Sequence, residues 1–357
     1  MRLPGTAMFD NPTPALLARQ IREELSAPGP PSGNDSPRRG GDRRRDKRRY
    51  VASGDAAPLA DANPAQRAML AHSLGGLYEQ AARAGKVDEM MRLIIGLAAF
   101  RPVFSAPSEL EHIPHPVPVS EGPTTPSLIC LPSFVGRSGA REYVRFAREF
   151  RGIRTVSVIS APGFAEGEPL AASVDALIGV HAENIRRSVD DAPFVLVGYS
   201  SGGLAAHALT THLESIGMGP AALVLMDTDP LDKEAASEGC YWPFINGQVL
   251  ADIRQQEDAG DDAWLTAFTH YFTLDWTDLR PTAIPTLIVR SKDFMPGLPE
   301  NHGYNDVSWP FAGNATIVQV PGDHFTMMAD HADTTARAVS EWLAGLQKSG
   351  TGNPKCT

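Results

Sequence analysis

Apolar and polar positions follow two different rhythms along this chain. From residue 127 onward, short β-rich runs alternate with stretches in which apolar residues recur every three or four positions. The predicted strands are 128–131, 155–159, 194–197, 222–226, 286–289 and 316–320. The predicted helices between several of them are 141–150, 174–189, 203–216 and 334–346. This alternation predicts an α/β domain with a mostly parallel, doubly wound sheet.

One long stretch interrupts the alternation. Residues 231–281 form an insertion between two predicted strands, and they are rich in large aromatic side chains. These are Trp242, Trp264, Phe268, Tyr271, Phe272 and Trp276. A long insertion in an α/β domain is often a lid over a binding site. The aromatics are equally compatible with a core that belongs to the insertion itself, and the pattern leaves both interpretations open.

The first 126 residues separate by composition. Residues 1–25 carry one short helical pattern, and residues 26–62 are rich in Pro, Gly, Ser, Asp and Arg, which predicts a disordered linker. Residues 63–104 predict two helices. The first is capped at Asn63 and the second is stopped by Pro102.

These two helices carry more apolar surface than an isolated pair can bury. They therefore predict a docking partner, either the main domain or a second subunit. Residues 105–121 are proline-rich without an apolar period and predict a tether. The main domain then occupies 122–347, and residues 348–357 form a disordered tail.

Composition and charge narrow the function classes. The 357 residues are 42% hydrophobic, which excludes a wholly disordered chain. No apolar run approaches the roughly 20 residues that a membrane-spanning helix needs, and the first residues contain no apolar segment, so we expect no secretory signal. Three widely spaced cysteines predict neither a disulfide framework nor a zinc site, so we expect a reducing cytoplasm.

The net charge of −10 conceals a basic run. Between Arg38 and Arg49 lie eight basic and two acidic residues. Such a run can bind nucleic acid, but it has almost nothing apolar to fold around and the rest of the chain is acidic. We interpret it as a solvated linker and expect no nucleic-acid partner.

The motif Gly198–Gly202 matches the G-x-S-x-G nucleophile elbow. A buried strand at 194–197 precedes it and a helix from 203 follows it, as that motif requires. A tight strand-to-helix turn would lift the Ser200 hydroxyl above the sheet edge. The N–H of Ser201 would then point at an oxyanion from the start of the helix.

A nucleophilic serine needs a base. His324 follows the last predicted strand and is our candidate, whereas the rival His331 falls at the start of the last helix. We expect His207 and His212 to be structural or solvent-facing, because both lie on the helix after the elbow. Asp323, beside the base, is interpreted as a loop residue.

The acid that would orient the base has two candidates. Asp227 ends one predicted strand, and Asp293 follows the next. Either gives the chain order Ser, Asp, His, and position alone does not separate them. For the second oxyanion donor we predict an N–H of Phe134 or Val135, in the loop after the first strand. The apolar side chains of that loop could instead line the pocket.

Five segments carry a resemblance to a known family. They are APGFAEGEPL at 161–170, PFVLVGYSSGG at 193–203, LVLMDT at 223–228, WPF at 309–311 and VPGDHFTMM at 320–328. Over roughly 122–347 the chain resembles the C-terminal thioesterase domains of modular type I polyketide synthases. The resemblance implies an α/β-hydrolase fold with a helical lid.

The resemblance also implies roles for individual residues. It favours Asp227 as the acid, which gives Ser200, Asp227 and His324 as the catalytic triad, with Ser201 and Phe134 as the oxyanion hole. The chain departs from its relatives in two places. Relatives often have His and Ala around the serine, and a smaller or hydroxyl residue where this chain has Phe134. Both departures bear on the pocket, to which we assign the substrate-binding residues Tyr199, Val135, Trp242 and Phe325.

Residues 3–14 resemble the last part of an acyl carrier protein domain, which predicts that the chain is the end of a larger synthase. Residues 63–104 lie where the family has dimerisation helices, which implies a homodimer. The implied activity is release of a polyketide chain by hydrolysis or macrolactonisation. The substrate would arrive on the phosphopantetheine of an upstream carrier domain, with no bound metal or organic cofactor. The alternative is a stand-alone editing thioesterase or esterase of the same fold.

Overall fold

The computed structural model describes residues 72–137, 139–189, 192–229, 242–254, 262–294 and 315–350. Four sequence predictions lie outside these residues: the carrier-like segment at 1–25, the linker at 26–62, the helix cap at Asn63 and the tail beyond 350. The segment at 309–311 also lies outside them.

The described strands confirm the predicted parallel sheet. They are β1 (Val103–Phe104), β2 (Val117–Leu131), β3 (Arg154–Val158), β4 (Leu170–Ala171), β5 (Phe194–Tyr199), β6 (Ala222–Met226), β7 (Thr286–Ser291) and β8 (Thr316–Val320). Six of them form one sheet in the order β3-β2-β5-β6-β7-β8, while β1 and β4 form a small parallel pair. The order reverses between β2 and β5, and in open α/β sheets ligands bind in the crevice at such a reversal.

The described helices cover both faces of the sheet. They are α1 (Leu74–Arg83), α2 (Val87–Ala98), the short α3 (Val144–Ala147) between two 3-10 turns, α4 (Val174–Ser188), α5 (Gly202–Ser215), α6 (Trp242–Arg254), α7 (Ala263–Phe272) and α8 (Ala332–Gly350). Side chains alternate along a strand. In β5, Leu196 therefore joins the core under α4 and α5, while Val195 and Val197 join the core under α3 and α8. All three are fully buried, as expected of a strand covered on both faces.

The predicted tether is wrong at its C-terminal end. Val117–Glu121 lie in β2, and Val119 is buried against the sheet. Along the early part of β2, which starts with Val117 opposite Val158, the partner residue in β3 has a decreasing number. Along the later part, which starts with Leu128 opposite Val156, the partner number increases. The many prolines concealed this strand, because the pattern of 105–121 shows no apolar period.

The helical pair at the N-terminal end packs on the insertion. Tyr78, Met91 and Ile94 share a core with Trp264 and Phe268 of α7. The main domain is therefore one docking partner of the pair. Three of the insertion's aromatics, Trp264, Phe268 and Phe272, serve this shared core.

The insertion also caps the first helix of the pair. Asp262 accepts hydrogen bonds from the N–H groups of Leu74 at 2.7 Å and Gly75 at 3.3 Å, at the start of α1. A carboxylate at a helix N-terminus accepts from otherwise unpaired N–H groups and interacts favourably with the positive end of the helix dipole. The second helix ends at Ala98, earlier than predicted from Pro102, and Phe100 beyond it is exposed. None of the described helices has the length and apolar character to cross a membrane.

Candidate active site

The turn between β5 and α5 places Ser200 at the edge of the sheet. Ser200 has a φ of +54°, a left-handed conformation that costs a non-glycine residue about 1 kcal/mol or more. Its N–H donates to the carbonyl of Met226 at 2.9 Å, which fixes the turn against β6. A Cβ at Gly202 would lie 2.3 Å from the carbonyl oxygen of Pro132, so only glycine fits there.

Ser200, His324 and Asp227 form one continuous hydrogen-bonded chain. His324 Nε2 lies 3.0 Å from Ser200 Oγ, and His324 Nδ1 lies 2.9 Å from Asp227 Oδ2. Each residue lies at or just beyond the carboxyl end of a strand: β5, β8 and β6, respectively. Parallel strands bring these ends to one edge, so residues 124 positions apart meet.

The Asp227 carboxylate is held in place by Ser291, at the end of β7. The N–H of Ser291 donates to Oδ1 at 2.9 Å and its hydroxyl donates to Oδ2 at 3.0 Å. Burial by itself would raise the pKa of Asp227, but the hydrogen bonds from His324 and Ser291 outweigh it and hold the pKa below its ordinary value. The buried group therefore stays ionised and can stabilise a protonated imidazole.

The alternative acid and base take no part in the hydrogen-bonded series among the described residues. Asp293 is exposed two residues beyond β7, and the structure brings Asp227, not Asp293, to His324. His331 follows the 3-10 turn Thr326–Met328 and precedes α8. His207 is buried on α5, with its ring 2.7 Å from the carbonyl of Arg280, a structural contact.

Tyr199 contacts the base through a hydrogen bond and a ring stack. Its hydroxyl donates to the carbonyl of His324 at 2.6 Å, and its ring stacks on the imidazole with centroids 5.1 Å apart. Tyr199 is buried, so the structure shows it in contact with the base, and its predicted role in substrate binding stays a prediction. Asp323 accepts hydrogen bonds from the N–H groups of Phe325 and Thr326, as a loop residue.

The loop after β2 lies against the elbow. Phe134 N–H donates to Ser201 Oγ at 2.9 Å, so the predicted oxyanion donor already has an acceptor. The Phe134 ring is buried and stacks on Tyr271 and Trp276, with centroids 5.3 and 5.5 Å away. These two aromatics of the insertion therefore fix the position of the loop.

Two carboxyl groups, Glu142 (partly buried) and Asp252 (buried), hold the same loop at either end. Glu142 accepts hydrogen bonds from the N–H and the hydroxyl of Ser133, at 2.8 and 2.6 Å. Asp252 on α6 accepts from the N–H of Arg137 at 2.8 Å and also pairs with Arg141. Neither carboxylate belongs to a recognisable motif, so sequence reasoning missed both. The same holds for Ser291.

The remaining predicted substrate residues have different surroundings. Phe325 is partly exposed and lies edge-on to the His324 ring, with centroids 5.2 Å apart. Val135 is half-buried and packs against the core of the helical pair. Trp242 begins α6, and its side chain lies outside the described residues. Within the described chain, no group of three or more His, Cys, Asp or Glu side chains could hold a metal ion.

Comparisons with known proteins agree on one domain type. The thioesterase domain family model matches residues 126–343. The chain is 41% identical over 285 residues to polyketide synthase GfsE of Streptomyces halstedii, covering 77% of this chain and 7% of that protein. It is 37% identical over 316 residues to the spectinabilin polyketide synthase system protein NorC of Streptomyces orinoci, covering 84% and 13%.

A third relative aligns with almost the whole chain. The chain is 32% identical over 348 residues to erythronolide synthase EryA3 of Saccharopolyspora erythraea, covering 97% of this chain and 10% of that protein. The chain thus spans 7% to 13% of the length of these three relatives.

Solved structures match the fold. The Vlm2 thioesterase domain, with genetically encoded 2,3-diaminopropionic acid and bound with a dodecadepsipeptide, superposes with a TM-score of 0.51. The identity is 22%, over 64% of this chain and 98% of that one. At that identity the likeness shows the α/β-hydrolase type of fold, as predicted.

Proposed function

Because the chain belongs to the thioesterase domain family, we propose that it releases a completed polyketide acyl chain from an acyl carrier protein. The polyketide synthases to which it is similar support this substrate class. The observation that carries the mechanism is the hydrogen-bonded series from Ser200 through His324 to Asp227. We propose an acyl-serine intermediate, which that geometry supports.

Acylation begins when Ser200 Oγ attacks the thioester carbonyl of the carrier-bound chain. His324 Nε2, at 3.0 Å, takes the hydroxyl proton as the new C–O bond forms. Asp227 keeps the other ring proton on Nδ1 and stabilises the imidazolium. The carbonyl oxygen becomes an oxyanion, and the Ser201 N–H at the start of α5 is positioned to stabilise it. The C–S bond then breaks, and His324 returns the proton to the departing thiol.

Release repeats these steps with a second nucleophile. Water attack on the acyl-serine gives the free acid, whereas attack by a distal hydroxyl of the chain gives a macrolactone. His324 takes the proton of either nucleophile and gives it back to Ser200 Oγ as the ester bond breaks. The proposal includes both outcomes, because the same three residues serve each.

The proposed steps use only side chains and main-chain groups of this domain. The phosphopantetheine is part of the substrate and leaves with the carrier. We expect the upstream carrier domain to be the partner that delivers it, and we place the reaction in the cytoplasm. Cys130, a buried free thiol, fits that reducing compartment.

We also propose a homodimer through the helical pair. On α2 and just beyond it, large apolar side chains remain exposed although the opposite face is buried on the insertion. They are Leu93 (51% exposed), Leu97 (37%), Phe100 (86%) and Val103 (55%). Changing both Leu93 and Leu97 to Glu should convert a dimer to a monomer in sedimentation velocity. Ile216→Glu, the same type of change on an exposed residue elsewhere, should leave the dimer intact, and a wild-type monomer would contradict the proposal.

A long acyl thioester with a distal hydroxyl tests the function. The domain is incubated with this thioester, and the mass of the product is measured by mass spectrometry. Hydrolysis gives a product with the mass of the hydroxy acid, whereas cyclisation gives a product lighter by one water. Absence of both products from the wild-type protein with any such thioester would contradict the proposed activity.

A further inference from the structure

We propose that the side-chain hydroxyl of Ser201, and not the Phe134 amide, is the second donor to the oxyanion. This inference rests on the proposed function and concerns the same site. Ser201 Oγ lies 2.9 Å from Phe134 N and accepts a hydrogen bond from its N–H. An oxyanion bound to that amide would need to lie 2.7–3.1 Å from the same nitrogen, where the hydroxyl already is. The Ser201 hydroxyl oxygen therefore already occupies the acceptor position of this amide.

Contacts on both sides of Phe134 hold its loop in place, so the amide N–H cannot move past the Ser201 hydroxyl without breaking them. Glu142 binds both the N–H and the hydroxyl of Ser133 on one side of Phe134. Asp252 binds the N–H of Arg137 on the other side. The Phe134 ring is buried against two aromatics. Moving the amide forward would break these contacts, whereas turning the Ser201 O–H bond breaks none.

The Ser201 hydroxyl can donate a hydrogen bond to the oxyanion while its oxygen accepts one from the Phe134 N–H. In the described part of the chain, Ser201 accepts from Phe134 but neither its N–H nor its O–H donates to another group. Both are therefore available to one oxyanion beside Ser200. A hydroxyl that accepts a hydrogen bond becomes a stronger donor, because the two bonds polarise each other. The series Phe134 N–H, Ser201 O–H and oxyanion would thus stabilise charge that exists only in the transition state.

Ser201→Ala tests this directly, because the two possible roles of the hydroxyl have opposite signs. If the hydroxyl donates, its loss leaves the amide short of the oxyanion and lowers the acylation rate about 10²-fold, the usual effect of one oxyanion donor. If the hydroxyl merely occupies the amide, its loss frees that amide and the rate holds or rises. Single-turnover acylation by an acyl N-acetylcysteamine thioester gives the rate, and its concentration dependence separates binding from chemistry.

A second readout and two further variants exclude a general structural effect. An alkyl boronic acid forms a tetrahedral anion on Ser200, and its affinity should fall by the same factor as the acylation rate, with substrate binding unchanged. Ser201→Thr, which keeps the hydroxyl, should recover most of the rate. Ser120→Ala removes another buried hydroxyl, bonded to the carbonyl of Arg154 in the sheet, and should leave the rate unchanged.

The outcomes separate the two levels of the argument. A loss of tenfold or more in Ser201→Ala, matched by weaker boronate binding and recovered by threonine, supports the hydroxyl as a donor. A smaller loss, a gain, or a loss without weaker boronate binding overturns it. Failure of the wild-type protein to acylate would instead contradict the proposed function, independently of Ser201.

Discussion

Replacing Asp227 with Asn tests the electrostatic logic of the site with minimal change of shape. The carboxylate accepts from Ser291 N–H at Oδ1, and from both Ser291 Oγ–H and His324 Nδ1–H at Oδ2. An amide has only one oxygen. The Ser291 N–H is fixed in the backbone, so the amide oxygen should take the position of Oδ1.

That orientation places the amide NH₂ against His324 Nδ1, which must then act as an acceptor. The imidazole proton moves to Nε2, where it faces Ser200 Oγ and prevents the ring from acting as a base. In the opposite orientation the amide NH₂ would face the Ser291 N–H, so two buried donors would lie against each other at a cost of about 1–3 kcal/mol. The wrong tautomer therefore predominates. In a serine protease triad the same change lowered kcat about 10⁴-fold. We expect a loss of about 10³- to 10⁴-fold here, or about 4–5 kcal/mol in the barrier.

Single-turnover acylation measures the loss, with the thermal unfolding midpoint recorded to show that the fold persists. Asp293→Asn is the matched control, because it makes the same carboxylate-to-amide change at the exposed rival position. It should leave the rate within a factor of two. An Asp227→Asn rate within tenfold of wild type, in a folded protein, would refute the tautomer argument.

Two further predictions concern the scaffold of the site. Burial raises the pKa of Glu142 to about 7, so its contribution to stability is complete below pH 4.5 and is lost as the pH rises through 7. Glu142→Gln can keep both contacts to Ser133. Its free energy of unfolding, measured with urea, should rise by about 3 kcal/mol relative to that of the wild type as the pH goes from 4.5 to 8. A difference that does not change with pH would contradict the raised pKa. Gly202→Ala should lose about 1–3 kcal/mol, because its Cβ would overlap the Pro132 carbonyl. The control Gly247→Ala, in open space on α6, should be neutral or stabilising, and equal effects would contradict the argument.

The sequence was sufficient for the parts of this fold that local patterns determine. Each of the six predicted strands overlaps a strand of the sheet. The G-x-S-x-G motif also located the turn at Ser200, because a strand, a tight turn and a helix are each encoded in neighbouring residues. Ser200, Asp227 and His324 can meet although they are far apart in the chain, since carboxyl ends of parallel strands share one edge.

What the sequence did not predict depends on contacts between distant residues. Position alone left Asp227 and Asp293 equivalent, because the choice depends on the register of β6 and β7, which brings Ser291 beside Asp227. Tyr199 was assigned to the pocket because it stands beside the serine at a position where the chain departs from the family. Its hydroxyl instead reaches a carbonyl 125 residues away. The partner of the Phe134 amide was also unforeseen, because a side-chain rotamer of Ser201 decides it.

An acyl-enzyme on Ser200 would be visible as added mass, so intact-protein mass spectrometry detects it without relying on product release. The wild-type domain and Ser200→Ala are each quenched in acid within seconds of mixing with a long acyl thioester, and the adduct is located by peptide mapping. We expect one acyl group on Ser200 of the wild-type protein and no adduct on the variant. An adduct on another residue, or turnover by Ser200→Ala without any adduct, would contradict it.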